Sequence, residues 1–530
     1  MNSLFSRLFL FLRQQPMWVL VIFFLCVIAG SAARYFGLFN LGYVFDTITT
    51  QHAWGRNTYE MGFYGFWQNY TGFFDYLPGS LLWLNLFYAI SRIPFIQAAG
   101  DWQSFVMVMK GFYWLVEIAL SVIVFVTARK VRPTQPGFAL IVAGLTYLNP
   151  SLWFVSGIWG QMDGLIATLS ILVLFLLFAS SAQNLPWYRT NTWFAGILWG
   201  ITIWTKMQAI LLLPIILLFF FWNKNLRQIL FTSWYALPSV LIGLFIANPF
   251  PSPLSFSMPV QIWGSITAIL LYLIINFSFK NNTIWAEVNR FFLGFWAVSA
   301  IVVANTIFFN ATRLGSSVGA MFSRKMVVSE GAASAYGIFN LSAEGGGQAL
   351  TSTLLIDAGT WTFSIGQFAT ICLVLAMATI AYGLLSGQDL RNVITSKIPI
   401  LKSFSISEAL LTLFMLNLAY FIFSTKMHSR YVHIGITLIP FLLIFSSTWK
   451  YKPVLFLSLI LLNFSYLANQ FSVMGAQYND SIFYRQPQWL YTFMDSLKFD
   501  LNQIATVGNL IATIVLLGWY VARNKEIKSA

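Results

Sequence analysis

Charged residues are scarce in this chain of 530 residues, where Asp, Glu, Lys and Arg together make up only 9%. Hydrophobic residues account for 58%, and they occur in long runs. A water-soluble protein of this length could not bury so much apolar surface, so the composition excludes a soluble class. It indicates an all-α polytopic membrane protein, and we expect a single integral-membrane domain over residues 1–530.

Cysteine and acidic residues are also few. The two cysteines, Cys26 and Cys372, lie inside apolar runs, which excludes a disulfide framework and a thiolate zinc site. There are 16 acidic residues against 30 Lys and Arg, a formal net charge of +14. In a membrane protein this excess reflects which side of the bilayer the cations occupy, so we expect membrane lipids and no nucleic acid as partners.

Apolar runs of roughly spanning length predict about fourteen transmembrane helices. The run at 77–90 is apolar but short and bounded by proline, so we predict a re-entrant or interfacial helix there. The short runs on either side of Lys206 predict two half-helices that meet at a polar tip. The predicted spans lie near 17–36, 104–127, 137–153, 164–181, 192–205, 208–222, 231–247, 261–279, 291–310, 363–385, 407–424, 431–448, 453–470 and 503–522.

The distribution of charge predicts the orientation of these helices. With the N-terminus in the cytoplasm, Lys and Arg cluster in one set of alternating loops and Asp and Glu in the other, as the positive-inside rule requires. Both termini are therefore expected in the cytoplasm, with outer loops at 37–103, 311–362 and 471–502. The first outer loop is rich in aromatic residues, and we expect short interfacial helices in it.

A short polar stretch at 156–164 interrupts two apolar runs, at a place where a membrane helix would leave and re-enter the bilayer. It carries the amide of Gln161 and the carboxylate of Asp163. An ionisable group at that depth is costly unless it faces water, a partner or a substrate. The stretch is therefore a functional-site hypothesis, and the alternative is a polar turn that only joins two helices.

Further polar residues stand at the outer ends of predicted spans. Lys, His and Arg close together at the membrane edge suit an anionic headgroup whose tail stays in the lipid, because guanidinium and ammonium groups both bind phosphate. A carboxylate opposite such a phosphate could act as general base. The set indicates transfer of a lipid-phosphate-linked group. Its members are Arg34, Asp46, Asp75, Asp163, Lys206, Gln208, Lys426, His428 and Arg430.

Five short motifs follow one another along the chain, and together they resemble a known superfamily. The sequence resembles the GT-C fold integral-membrane glycosyltransferases, and among them the bacterial mannosyltransferase-like branch related to the GPI-anchor mannosyltransferases. The resemblance covers residues 34–431, with a leucine at 77 and a serine at 429 where the family has proline and glutamate. The motifs are Asp-Tyr-Leu-Pro-Gly at 75–79, Gly-Gln-Met-Asp at 160–163, Lys-Met-Gln at 206–208, Phe-Asn-Leu at 339–341 and Met-His-Ser-Arg-Tyr at 427–431.

The resemblance implies a GT-C-like fold, a polyprenyl-phosphate sugar donor and an active site on the outer face of the plasma membrane. It implies that the catalytic aspartate lies in the first outer loop, where Asp46 is the matching position. It also implies that Lys206, His428 and Arg430 lie near the donor phosphate. The other candidates, Arg34, Asp75, Gln208 and Lys426 among them, are expected to bind substrate.

The expected reaction is an inverting transfer of a hexose, with mannose as one candidate. Asp46 would deprotonate a hydroxyl of a glycan, lipid or protein acceptor, while Gln161 and Asp163 orient the hydroxyls of the sugar. Phosphate is already a competent leaving group, so no protein acid need protonate it. We expect no required cofactor, because the sequence has no dense set of acidic ligands. A divalent metal such as Mg or Mn could still bind at Asp163 and Gln161 together with Asp46.

Two other classes of function stay open at this stage. A transporter or lipid flippase would need polar groups at mid-membrane, and Glu117 and Lys110 are the main candidates for such positions. A structural subunit without activity would leave the outer cluster of acids and bases unexplained.

Overall fold

The computed structural model describes residues 10–40, 45–70, 74, 76–179, 190–222, 287–288, 290–302, 329–330, 354–357, 362–385, 404–424, 427–428, 431–446, 451–478 and 501–522. Sixteen α-helices fall within these ranges. The first eight are α1 (Met17–Asn40), α2 (Ala53–Asn69), α3 (Pro78–Ser91), α4 (Pro94–Gln97), α5 (Asp101–Val131), α6 (Pro136–Leu148), α7 (Pro150–Trp153) and α8 (Asp163–Phe178). The others are α9 (Asn191–Thr205), α10 (Leu213–Phe221), α11 (Arg290–Val302), α12 (Ile365–Leu385), α13 (Ile406–Phe423), α14 (His433–Phe445), α15 (Lys452–Tyr478) and α16 (Leu501–Ala522).

Three further segments are helical with a different pitch. Phe45–His52 and Phe154–Trp159 are π-helical, and Met207–Leu212 is a 3₁₀-helix. Extended structure in the described ranges is confined to two short strand pairs. In one, β1 (Ser329–Glu330) runs parallel to β4 (Met427–His428), and in the other, β2 (Leu354–Asp357) runs antiparallel to β3 (Thr362–Ser364). The described protein therefore belongs to the all-α class.

Seven helices are long and apolar enough to cross a membrane, so the chain is a multi-pass helical membrane protein. These candidate spans are Met17–Leu38, Asp101–Val131, Pro136–Trp159, Ile365–Leu385, Ile406–Phe423, Lys452–Gln470 and Ile504–Ala522. Each coincides with a predicted apolar run.

The expected number of about fourteen spans is not reached in the described ranges. Five other predicted runs form helices of fewer than 18 residues within the described ranges. One is α8, whose 16 residues extend only about 24 Å against about 30 Å of hydrocarbon. The other four are α9, α10 with its preceding 3₁₀ segment, α11 and α14. The predicted runs at 231–247 and 261–279 lie outside the described residues.

The helix predicted at 77–90 is present as α3. It begins at Pro78, a residue whose fixed backbone angle suits the first turn, and contains 14 residues. At 1.5 Å per residue it is about 21 Å long, which is too short for a full span. Together with α2 and α4, it shows that the first predicted outer loop consists of short helices.

Two apolar clusters hold the described helices together. The larger one is continuous from the second half of α5 through α6, α8 and α9 to α12–α16. The smaller one is aromatic, formed by α2, α3 and the start of α5, and it includes Trp54, Trp67, Phe87 and Phe105. Met162 belongs to this aromatic cluster and is fully buried in it. The short helices therefore pack directly over the polar stretch at 156–164.

Glycine determines how the chain turns within that stretch. The π-helical segment ends at Gly160, which has a φ of +76°, a left-handed conformation that side-chain-bearing residues rarely adopt. A Cβ atom here would lie 2.9 Å from the Cγ2 atom of Thr47 and 3.1 Å from the Cε atom of Met109. Both the backbone angle and the available space therefore require glycine at position 160, and the turn leads into α8 at Asp163.

Candidate functional site

The polar stretch at 156–164 contains a buried ion pair. Asp163 is the first residue of α8, where a carboxylate interacts favourably with the helix dipole, and it is only 1% exposed. The Nζ atom of Lys206 lies 2.5 Å from its Oδ1 atom. Two residues of the sequence-predicted site, 43 positions apart, are thus in direct contact.

A break between two helices places Lys206 at this point. Helix α9 ends at Thr205, Lys206 has extended backbone angles of −154° and 125°, and the chain resumes at Met207 as the 3₁₀ segment. The prediction of two half-helices that meet at a polar tip is confirmed. The lysine side chain leaves the break and reaches the start of α8.

Helix α3 packs on the same break. A Cβ atom on Gly79 would lie 2.6 Å from the carbonyl oxygen of Trp204, so the first turn of α3 touches the backbone of α9 without an intervening side chain. The Nε1 atom of Trp83 donates a hydrogen bond of 3.1 Å to the Oγ1 atom of Thr205. The helix of the first predicted outer loop therefore fixes the position of the residue before Lys206.

Gln161 connects the polar stretch to the motif at 75–79. Its side chain is fully buried, and its Oε1 atom accepts a hydrogen bond of 3.2 Å from the hydroxyl of Tyr76. Its backbone N–H donates to the carbonyl of Val155 across the turn. Two motifs that are 85 residues apart, at Tyr76 and Gln161, meet in this way.

The sequence analysis missed two residues that complete this group. His433, the first residue of α14, is buried, and its Nε2 atom lies 3.7 Å from the position that a Cβ atom on Gly164 would occupy. Its Nδ1 atom is 3.1 Å from the hydroxyl of Tyr466 on α15. The ring of Tyr431 lies 6.0 Å from the Nζ atom of Lys206. A histidine at the start of an apolar helix, just after the motif at 427–431, was the available signal.

Asn417 holds the turn that carries Tyr431 and His433. From its buried position on α13 it donates a hydrogen bond of 3.2 Å to the carbonyl of Tyr431, and its Oδ1 atom accepts one of 2.8 Å from the N–H of Gly435. Because it bonds on both sides of His433, it sets the direction in which α14 begins. The motif at 427–431 therefore ends beside Lys206.

Arg34 occupies a neighbouring cluster. It is buried, its Nε atom lies 2.5 Å from the Oε2 atom of Glu117, and its guanidinium stands 4.1 Å from the centre of the Tyr147 ring. Its NH1 atom donates to the carbonyl of Gly30. The structure does not bring Arg34 into contact with Asp163 or Lys206, and its assignment as a substrate ligand stays a prediction.

The remaining candidates are described only in part. Gln208 is half-buried in the 3₁₀ segment, two residues after Lys206. For Asp46, in the Phe45–His52 segment, and His428, in β4, the structure describes the backbone alone. Asp75, Lys426 and Arg430 lie outside the described residues.

The backbone of β4 nevertheless relates two of the predicted outer segments. Its parallel pairing with β1 places Glu330 opposite His428 and Ser329 opposite Met427. Residues 329–330 of the predicted outer loop at 311–362 therefore lie beside residues 427–428.

A second polar cluster stabilises the end of the Phe45–His52 segment. The Nε2 atom of His52 lies 3.2 Å from the Oδ2 atom of Asp101, and the hydroxyl of Tyr88 donates to the Oδ1 atom of the same carboxylate. Burial lowers the pKa of His52 by more than the neighbouring Asp101 raises it. His52 is therefore mainly neutral at pH 7, and the cluster fixes the chain six residues after Asp46.

The polar residues lie at one end of the helix bundle. Arg34 and the carbonyl of Gly37 belong to the last two turns of α1, and Lys110 donates to that carbonyl. Asp163 begins α8 and Lys206 follows the end of α9. Arg34, Asp163 and Lys206 thus stand at or near the ends of their helices.

Within the described ranges, no group of three or more His, Cys, Asp or Glu residues is arranged to hold a metal ion. The expectation that the reaction requires no metal stays a prediction.

Among known proteins, neither a family model nor a curated protein matches this chain.

Proposed function

We propose that the protein is an inverting glycosyltransferase with a GT-C-like fold. It moves a hexose, with mannose as the first candidate, from a polyprenyl-phosphate donor to a hydroxyl of a glycan, lipid or protein acceptor. The observation that carries the proposal is the buried contact between Asp163 and Lys206, with Gln161 beside it. Buried charges in a membrane protein mark substrate sites more often than they stabilise the fold.

Each residue has a defined role in this proposal. Lys206, His428 and Arg430 bind the donor phosphate and stabilise the negative charge that develops as the glycosidic bond breaks. Asp46 accepts the proton of the acceptor hydroxyl, which attacks the anomeric carbon on the face opposite the phosphate. Gln161 and Asp163 supply the oxygen and nitrogen atoms that hold the hydroxyls of the sugar.

The position of the other buried charges favours a transferase over a transporter or flippase. A transporter site lies near the midplane of the membrane. Lys110 and Glu117, the two residues that suggested such a site, contact Gly37 and Arg34 in the last two turns of α1. Both therefore lie level with the last two turns of α1, and Lys110 also bonds to the carbonyl of Ile158, in the segment that leads to Gln161 and Asp163.

The orientation of the chain is part of the proposal. We place both termini in the cytoplasm, the protein in the plasma membrane and the site on the outer face, following the positive-inside rule. In a variant without Cys26 and Cys372, a cysteine at the exposed position Glu60 is expected to react with an impermeant maleimide in intact cells. A cysteine at Lys525 should react only after the cells are opened. Labelling of both from the same side would contradict this topology.

The activity is tested with the purified protein in lipid nanodiscs. Supplied with radiolabelled polyprenyl-phosphate mannose or glucose, it is expected to transfer the sugar to a membrane-extract acceptor, or to hydrolyse the donor slowly without one. A mock preparation from cells that do not express the protein, at equal total protein, is the control for contaminating enzymes. Stable donor in all samples, together with donor translocation in liposomes, would favour the flippase and refute the transferase.

A further inference from the structure

The π-helical segment Phe154–Trp159 and the turn at Gly160 are irregular, and they lead directly to Gln161 and Asp163. Irregular backbone leaves N–H and carbonyl groups that regular helix bonds do not satisfy, and buried groups of this kind need other partners. Two residues of α5 bind this segment, one at a side-chain hydroxyl and the other at a backbone carbonyl.

The first is Glu117, which is buried. The hydroxyl of Ser156 donates a hydrogen bond to one of its carboxylate oxygens, and the Nε atom of Arg34 lies 2.5 Å from the other. Glu117 therefore connects α1 to the π-helical segment through charge-assisted hydrogen bonds, which are about twice as strong as neutral ones.

The second is Lys110, which is only 1% exposed. Its Nζ atom donates one hydrogen bond of 3.0 Å to the carbonyl of Ile158 and another of 3.0 Å to the carbonyl of Gly37. Lys110 and Glu117 are seven residues apart, which places them on the same face of α5 two turns apart. One helix face thus holds the segment at two points, Ser156 and Ile158.

The last turns of α1 approach this segment closely. A Cβ atom on Gly37 would lie 2.8 Å from the carbonyl oxygen of Gly157, so the two backbones are in direct contact. Apolar side chains could pack α1 against α5 at least as stably as buried charges do. Apolar side chains could not bind the hydroxyl of Ser156 or the carbonyl of Ile158. We therefore attribute the buried charges of Glu117 and Lys110 to these contacts with the π-helical segment.

We propose that Glu117 and Lys110 are positioning residues for the site. They fix residues 156–160 so that Gln161 and Asp163 keep their places beside Tyr76 and Lys206. This inference rests on the proposed transferase function only where activity is measured. Its conformational part is measured without any substrate.

The test compares Glu117→Gln with Glu60→Gln in nanodiscs. Both changes replace a carboxylate that pairs with an arginine, but Glu60 and its partner Arg56 are exposed. In Glu117→Gln, hydrogen exchange of the amides at 154–163 is expected to accelerate by about tenfold or more, while exchange in α13 stays unchanged. The kcat for transfer is expected to fall about 10- to 100-fold, as for other residues that orient a site, with the donor KM within about twofold. Glu60→Gln should change neither.

A second pair of variants tests the lysine. Lys110→Met should produce the same pattern, and Lys110→Arg, which keeps the charge and the donors, should restore part of the kcat. If Glu117→Gln does not fold, Ser156→Ala removes one of its hydrogen bonds and is measured instead.

The proposal would be overturned if hydrogen exchange at 154–163 were unchanged in Glu117→Gln, or in Ser156→Ala where that variant is used instead. It would also be overturned if exchange accelerated uniformly across all helices. A protein that never transfers sugar would refute the proposed function, but the exchange measurement would still decide the positioning role.

Discussion

Replacing Lys206 with methionine is expected to destabilise the protein by about 3–5 kcal/mol, because the carboxylate of Asp163 stays buried after its ammonium partner is removed. Asp163→Asn is expected to have a similar effect, since it leaves the lysine charge in the same apolar surroundings. Stability is measured by thermal unfolding of each variant in the same detergent or nanodisc.

The double variant Asp163→Asn/Lys206→Met separates stability from activity. It removes both charges, so it should recover most of the lost stability. Transfer should be lost in the double variant as in each single variant, because both residues are proposed to bind substrate. The exposed pair Arg56 and Glu60, with an N–O distance of 2.8 Å, is the matched control, and breaking it should change stability by less than about 1 kcal/mol. Equal effects at the two pairs would contradict this account of the buried one.

Much of the fold follows from the distribution of apolar residues. The runs that form α12 and α16 are continuous and apolar, and those that form α1 and α5 remain helical although they carry Arg34, Lys110 and Glu117. Two predicted runs lie outside the described residues and five others are shorter than a span where the structure describes them, so run length alone does not decide how many helices cross the membrane. The breaks at Lys206 and in the polar stretch at 156–164 were predicted from the polar residues, and the left-handed turn at Gly160 is what the structure adds.

The candidate site was predictable where a residue type is unusual for its surroundings. Gln161, Asp163 and Lys206 are polar within apolar sequence, and the structure brings the three together. Tyr76 belongs to the motif at 75–79, but its hydrogen bond to Gln161 was not predicted. The contact between Arg34 and Glu117 joins positions 83 residues apart, which no local pattern specifies.

The Phe45–His52 segment, which carries the proposed general base Asp46, contacts the turn at Gly160. Its neighbour Thr47 is buried, and the Cγ2 atom of Thr47 lies 2.9 Å from the position that a Cβ atom on Gly160 would occupy. The Phe45–His52 segment therefore packs on the turn that leads to Gln161 and Asp163. The backbone at position 46 is one residue from this contact.

Asp46→Asn is expected to lower the transfer rate about 10²- to 10⁴-fold while donor affinity stays nearly unchanged, because a general base acts on the acceptor and contributes little to donor binding. Asp75→Asn should have a smaller effect, since we expect Asp75 to organise the entry to α3. Glu60→Gln, in an exposed ion pair with Arg56, is the control for a carboxylate outside the site. Transfer and donor binding must be measured separately in each variant.

Near-normal transfer by Asp46→Asn would exclude it as the base. Loss of donor binding in the same variant would instead make Asp46 a substrate or metal ligand, because an amide keeps the size of the side chain and removes the charge that those roles require.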